Sequence, residues 1–509
     1  MVLTKSAPRE TDETWVSAQR EPDGWIQAVL WYACAVFACL CVALINNGAL
    51  YYFDTAGYLA HGKSAFNAMG LFLPDPAGST AEGAISETGD TGTGDDVVIA
   101  SRSAIYSALI VLTRYTTGIN AVVLVNTGAL LLSVWLAARV ASRLFLHERS
   151  VAATTAIPVL VGALGSLPFY TAYLMPDIFA PILIMIAATL AIFAREMTKW
   201  EIILALLLGM AAVVTHPSHL IIAALLIPVV AIASLALARP KWWLAPLLVG
   251  LITLGGLAER QIFAQTVKSV QSSEVTYQPF LTARLIADGP GLSVLDQICP
   301  DENTATCALH SALQNSDDPW RLTASHIMFE TNPSLGSYKL MPLEDQRKVA
   351  EEQVSFFLKV LSKKPVALTT AFLGNTLKQA NLFSIQYTIP TEQTLINVNT
   401  ITDIAPESFE TIRLLGKRDA MSWLTVLHGI IYAVSALLVV VIVVLPQRAP
   451  PLALRGFVMV ILIGIMVNAF VCGGISQPSD RYGARVAFLL PMATSFILLF
   501  YSGVRTNRT

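Results

Sequence analysis

"IQAVLWYACAVFACLCVALINNGALYYFDTAGYLAHG", residues 26–62, begins as an apolar run and ends on Asp54, three tyrosines and His61. Wound as a helix at ~1.5 Å per residue, a run of about twenty residues matches the ~30 Å hydrocarbon core of a bilayer. It does not read as a cleaved leader, because the run is long and the residues before it carry acids as well as bases. The first question is therefore whether the rest of the chain also belongs in a membrane.

Composition says that it does. Of 509 residues, 54% are hydrophobic and only 13% charged, and the mean hydropathy is +0.60. Soluble domains carry about 25% charged residues. An all-α polytopic membrane protein is expected. The net charge of −2 and the lack of a long basic block argue against a nucleic-acid partner. Apolar runs of near-spanning length fall at 26–46, 119–138, 151–168, 176–194, 201–215, 217–238, 242–258, 422–445, 456–472 and 485–503, giving about ten transmembrane helices.

The short loops predict the orientation. With the N-terminus inside, one side receives Arg139, Arg143 and Arg149, then Arg195 and Lys199, then Arg239 and Lys241. The same side takes Arg448, Arg455, Arg505 and Arg508, whereas "YTAYLMPD" and "THPSH" on the other side hold no Lys or Arg. The positive-inside bias then makes both termini cytoplasmic. The expected organisation is a cytoplasmic tail (1–25), a transmembrane module (26–258) with a first outer loop (47–118), an extracytoplasmic segment (259–421), C-terminal transmembrane helices (422–503) and a short tail (504–509).

The outer segments differ in kind. Residues 76–97 are rich in Gly, Ser, Thr and Asp, so a mobile loop is expected; Asp90, Asp95 and Asp96 there lack the spacing of a calcium loop. Residues 259–421 mix polar and apolar positions at helical spacing, as in "EDQRKVAEEQVSFFLKVLSKKP", which predicts a modest helical domain or a set of interfacial helices. Cys299 and Cys307 in "CPDENTATC" are expected to pair in an oxidising compartment. Cys34, Cys39, Cys41 and Cys472 read as small apolar residues, and no zinc-type spacing occurs.

Ionisable residues avoid the centres of the spans and gather at their outer ends. Asp54 and His61 follow the first span, Arg102 and Tyr106 precede the second, and Asp177 opens the fourth. His216 and His219 stand at the turn between the fifth and sixth, and Asp480, Arg481, Tyr482 and Arg485 lead into the tenth. Each alone reads equally as an interfacial anchor, and Pro217 alone as a helix start. Together they favour a site at the outer interface over a transport site at the midplane. A carboxylate such as Asp54 beside aromatic surface can accept a hydroxyl proton. The arginines can hold phosphate oxygens through paired donors, with the histidines adding further donors. A phosphate leaving group at this depth implies a lipid-phosphate donor.

The order of these features resembles the GT-C superfamily of polytopic glycosyltransferases, which includes protein mannosyltransferases and the lipid A aminoarabinose transferases. "FDTAGYLAHG" is similar to the family's acidic first outer loop, with Asp54 followed by Tyr58. "SRSAIYSALIVLTRYTTGINAVVLVN" resembles the stretch through the second span, and "SLPFYTAYLMPDIFAPILIMIAATL" the third and fourth, where Asp177 stands at the acidic position. "THPSHLIIAALLIPVV" is similar to a later turn, and "SDRYGARVAFLLPM" to an Arg-Tyr signature near the end. The likeness covers roughly 26–260 and 422–503. It implies inverting transfer of a sugar from a polyprenyl-phosphate donor to a glycan, lipid or protein acceptor on the outer face of a bacterial inner membrane. Asp54 would be the base, and Tyr58, His61, Arg102, Tyr106, Asp177, His216, His219, Arg481, Tyr482 and Arg485 would bind substrate. Many members carry two adjacent acids in the first loop, whereas Thr55 follows Asp54 here. That departure puts a bound divalent metal in doubt, and no cofactor is expected. A transporter or flippase for a lipid-linked or anionic substrate, or a scaffold displaying 259–421, are the competing expectations.

Overall fold

In the computed structural model, residues 24–68, 97–100, 102–272 (without 146–149 and 238–240), 274–401 (without 300, 303 and 316) and 410–506 (without 445–449) are described. The chain is helical nearly throughout. The N-terminal half contains α1 (Trp25–Asn46), α2 (Thr55–Ala68), α3 (Ala104–Thr116), α4 (Ala121–Phe145), α5 (Val151–Gly162), α6 (Leu167–Ala172), α7 (Phe179–Phe193), α8 (Lys199–Val214), α9 (Pro217–Ala236) and α10 (Leu244–Gln271). An outer group follows: α11 (Phe280–Ala287), α12 (Pro290–Ile298), α13 (Ala305–Leu313), α14 (Ala324–Phe329), α15 (Leu343–Lys363), α16 (Pro365–Ala380) and α17 (Glu392–Ile401). The last are α18 (Trp423–Val444), α19 (Leu452–Ala469), α20 (Asp480–Ala487) and α21 (Leu489–Thr506).

Among the described residues, eight helices are long and apolar enough to cross a membrane. Their outward faces carry bare aliphatic stripes, such as Ile26, Leu30, Phe37 and Leu44 on α1, or Ile430, Val434, Leu437 and Val441 on α18. Water does not tolerate such stripes, whereas lipid chains do. The chain is an integral membrane protein. The remaining two expected spans are shorter. Pro158 lies inside α5, which stops at Gly162 after 12 residues, so the 151–168 run is a helix, a turn and a second short helix. The 201–215 run is α8, whose 16 residues reach only ~24 Å.

Local chemistry sets most boundaries. Thr198 and Glu201 form a reciprocal capping box at the start of α8. Pro217 occupies the first turn of α9, with His216 capping it. α1 ends because Asn47 turns left-handed (φ 61°) and returns its N–H to Ala43 and Leu44. α10 runs past the boundary expected at 258 as a single helix to Gln271. Its 28 residues reach ~42 Å and overshoot the hydrocarbon core.

α7 is the axis of the bundle. Every residue from Phe179 to Phe193 is buried, and α4, α8, α9, α10 and α19 pack around it. A side chain at its first turn is therefore held rigidly from all sides. The outer group has a separate core built on Leu285, Val294, Leu309, Ile327, Val349 and Phe356. Cys299 and Cys307 are disulfide-bonded there. One pairing had no local signal: β1 (Val97–Ala100) lies parallel to β2 (Glu274–Tyr277), tying the chain before α3 to the chain after α10.

Candidate functional site

The site lies where α1 ends and α7, α9 and α20 begin. The chain leaving α1 is locked in place. Asn46, fully buried, donates to the carbonyls of Gly48 and Ala49 at 3.1 and 3.0 Å and accepts from the Leu414 N–H at 3.1 Å. Leu50 exchanges backbone hydrogen bonds with Ala172 and Leu174. Thr55 then accepts from the Tyr52 N–H at 2.9 Å and donates to the Leu174 carbonyl at 3.3 Å. The hydroxyl beside Asp54 thus shapes the turn, and Asp54 is left half-buried at the start of α2.

Two arginines meet that carboxylate, Arg102 at 3.2 Å and Arg481 at 3.0 Å. Arg481 bridges inward to Asp177, with Nη2 at 2.8 Å and Nε at 3.1 Å. Arg485 completes the chain at 3.3 Å from Asp177 and is itself held by Asn468 at 2.8 and 3.1 Å, Ser218 at 3.3 Å and the Cys472 thiol at 3.1 Å. Cys472, expected as a small apolar residue, is thus a polar partner. Its neighbourhood is a π-helical turn, Phe470–Ile475, of the kind that re-aims side chains in sites.

Aromatic rings supply the remaining solvation. The Arg481 guanidinium lies over Tyr52 at 4.7 Å, Tyr482 at 5.5 Å and Tyr173 at 6.0 Å, and Arg485 over Tyr482 at 5.0 Å. Such faces stabilise a cation that has lost its water. Arg102 lies over Tyr58 at 5.8 Å, and Tyr58 meets Tyr106 edge-on at 5.4 Å. Three guanidiniums facing two carboxylates leave one positive charge in excess. Burial alone would push the Asp54 carboxyl up, but Arg102 and Arg481 outweigh it and hold it below the usual carboxylate range.

The arginine helix is fixed from two sides. Tyr170 donates to the Arg481 carbonyl at 2.6 Å, and Ser166 to that of Ala484. From the outer group, the Gln379 amide exchanges two hydrogen bonds with Ser479, at 2.8 and 2.9 Å. Ser384 N–H donates to Asp480 at 2.9 Å, and a Cβ at Gly483 would collide with the Leu382 carbonyl oxygen. The segment before α18 is therefore part of the support of the site.

The histidines sit beside this chain with opposite proton placement. His216 Nδ1 accepts from the Ser218 N–H at 3.1 Å, so a neutral ring carries its proton on Nε2. His219 Nδ1 lies 2.8 Å from the Ala212 carbonyl, which only accepts, so its Nε2 is the bare lone pair. Burial, then His219 and Arg485, push the His216 ring well below its ordinary range, so it is neutral at pH 7. His61, on α2, is lowered to about 4 by burial and then by Arg102. It stands about one turn along α2 from Tyr58.

Of the expected residues, Asp54, Tyr58, Arg102, Tyr106, Asp177, His216, His219, Arg481, Tyr482 and Arg485 converge, although Asp177 and Arg481 are 304 positions apart. Sequence reading missed Tyr52, Tyr173, Ser218, Asn468 and Gln379. The first two stood in quoted outer stretches and had only their aromatic character as a signal. Asn468 and Gln379 had none. Among the described residues, no group of three His, Cys, Asp or Glu side chains is placed to hold a metal ion. Asp90, Asp95, Asp96, Arg149, Arg239, Arg448 and Arg508 lie outside the described residues. In comparisons with known proteins the chain matches no family model, no curated protein and no solved structure.

Proposed function

We propose that this chain is a membrane glycosyltransferase that moves a sugar from a polyprenyl-phosphate donor to a glycan, lipid or protein acceptor, with inversion. The observation that carries the reading is the largely buried chain of ion pairs Arg102–Asp54–Arg481–Asp177–Arg485 at one end of the bundle, open at Asp54, with its single excess positive charge. A site of that sign and depth suits a lipid phosphate whose chain stays in the bilayer. In this reading the bundle has about ten spans, both termini are cytoplasmic, and the site faces the exterior of a bacterial inner membrane.

The roles follow from the contacts. Arg481 and Arg102 take the phosphate oxygens and stabilise the charge that develops on the leaving phosphate. As they turn toward it they release Asp54, whose carboxylate regains basicity. Asp54 then takes the proton from the acceptor hydroxyl, whose oxygen attacks the anomeric carbon as its bond to phosphate breaks. Asp177, with no exposed surface, keeps the Arg481 and Arg485 side chains in position. Tyr58, Tyr106, Tyr482 and His219 line and support this arrangement, and His216 adds its Nε2–H.

The test is transfer by the purified full chain in lipid nanodiscs, using polyprenyl-phosphate sugars. Asp54→Asn is expected to stay folded, melting modestly below the wild type at neutral pH, and to lose about 10²–10⁴-fold in transfer rate. Full activity in that variant would remove the assignment of Asp54. Substrate movement without transfer would favour a transporter instead.

A further inference from the structure

α16 has two unlike faces. On one, Leu368 is buried, Asn375 donates to Asp288 at 2.8 Å, Gln379 holds Ser479, and Phe372 meets Phe470 edge-on at 6.2 Å. At ~100° per residue, the opposite face gathers Val366, Leu373 and Leu377 within about 40° of arc. These three side chains are 78%, 56% and 62% exposed. α15 changes along its length in the same sense. In its first half, one face carries Arg347 and Glu351, and Arg347 pairs with Glu274, Glu344 and Glu351. In its second half the same face carries Val354, Leu358 and Leu361, all exposed.

The position of α16 indicates what covers its apolar face. α19 and the π-helical turn after it make one of the eight helices able to cross a membrane, Leu452–Ile475, and its exposed strip runs Met459, Ile463, Met466. Phe470 is the next residue on that strip by helical spacing, and Phe372 of α16 covers it. α16 therefore lies on the lipid-facing side of this span, five positions before its end. Its far face continues the bare aliphatic surface of the bundle. Charge points to the same neighbour. Residues 353–391 hold four lysines and no Asp, Glu, Arg or His, in a chain whose net charge is −2. Lys359 pairs with Glu302 at 2.7 Å, whereas Lys363, Lys364 and Lys378 have no ion pair among the described residues. Lysines beside an aliphatic strip suit an anionic lipid surface, where their stems lie on the chains and their ammonium groups reach the head groups.

We propose that α16 and the second half of α15 form a lipid-docking surface, seated in the head-group layer of the bilayer with anionic lipids gathered at Lys363, Lys364 and Lys378. This is independent of the reaction proposed above. The face is an extension of the lipid-exposed belt rather than a patch apart from it, which favours lipid over a second copy of the chain or another protein. Docking also has a consequence inside the bundle. Gln379, on the same helix, holds the turn before α20. The seat of α16 in the leaflet thereby fixes the height of the arginine helix relative to the membrane.

The test uses the full chain in nanodiscs, in a Cys34→Ala, Cys41→Ala background, with a bimane fluorophore attached at Leu373→Cys or Leu377→Cys. A label at Lys348→Cys, on the charged half of α15, is the comparison. None of these side chains is buried, so the fold is expected to hold. Lipids with a nitroxide on the acyl chain should quench the two α16 labels at least about threefold more than the α15 label, and aqueous iodide at least about threefold less. Iodide quenching as strong on α16 as on α15 overturns the proposal. Weak quenching by both agents on α16 also overturns it, because a protein surface then covers the face. At equal content, nitroxide-labelled phosphatidylglycerol should quench the Leu377→Cys label at least about twofold more than nitroxide-labelled phosphatidylcholine. Lys363→Gln, Lys364→Gln and Lys378→Gln together should bring that ratio to about one. Equal quenching by the two lipids before the lysines are changed, or a ratio that survives their replacement, overturns the anionic-lipid assignment.

Discussion

Two arginine–carboxylate clusters stand at opposite ends of the same bundle, and they are built differently. At one end Glu201, 5% exposed, takes Arg139 at 2.9 Å and Arg143 at 3.0 Å, whose side chains are 47% and 39% exposed. At the other end Arg481 and Arg485 are 5% and 0% exposed and share a carboxylate, Asp177, that has no exposed surface. The Glu201 cluster has a structural explanation of its own. It completes a helix cap and pins α4 to α8, and water still solvates its cations. The Asp177 cluster needs tyrosine faces, an asparagine and a thiol to replace the water it lacks. Arginines at span ends are therefore not equivalent. Burial, not residue type, separates an anchor from a site.

Removing one partner from each cluster should widen that contrast. Arg481→Ala leaves the buried Asp177 with Arg485 alone and is expected to cost ~3–5 kcal/mol, read as a large drop in melting temperature or loss of folded protein. Equal melting of variant and wild type would mean that Asp177 finds another partner. Glu201→Gln keeps the shape of the cap and loses two half-solvated pairs, so a loss of ~1 kcal/mol is expected in the same assay.

The smallest effect concerns pH. The Asp54 carboxyl is depressed in the folded chain, so its ion pairs contribute stability above the ordinary carboxylate value near ~4. That contribution disappears as pH falls through the lower, folded value. Melting curves from pH 7 down to pH 3 should therefore show an acid-side loss that is reduced in Asp54→Asn. The same slope in both proteins would assign the acid sensitivity to other carboxylates.

Much of this is legible in the sequence. The spans follow from runs of apolar residues, since each must satisfy its backbone internally to stay in lipid. The absence of charge from the span centres, and its accumulation at span ends, follow from the cost of burying ions. The 299–307 pairing was legible because the cysteines stand only eight positions apart and little else in the outer group competes for them. Less legible was the course of α10, where Glu259 and Arg260 interrupt the apolar pattern although the helix continues. Helical backbone hydrogen bonds are indifferent to that charge.

By itself, then, "NNGALYYFDTAGYLAHG" determined that a carboxylate among aromatics leaves the first apolar helix. The sequence also determined which other span ends carry charge. Only the tertiary structure decided that these ends meet: Arg102 and Arg481 on Asp54, Arg481 and Arg485 on Asp177, and Gln379 on the turn before them. The physical reason is that apolar periodicity records which residues leave water and carries no record of which neighbour they find. That choice is made by the packing of helices around α7, and by backbone hydrogen bonds between segments hundreds of residues apart.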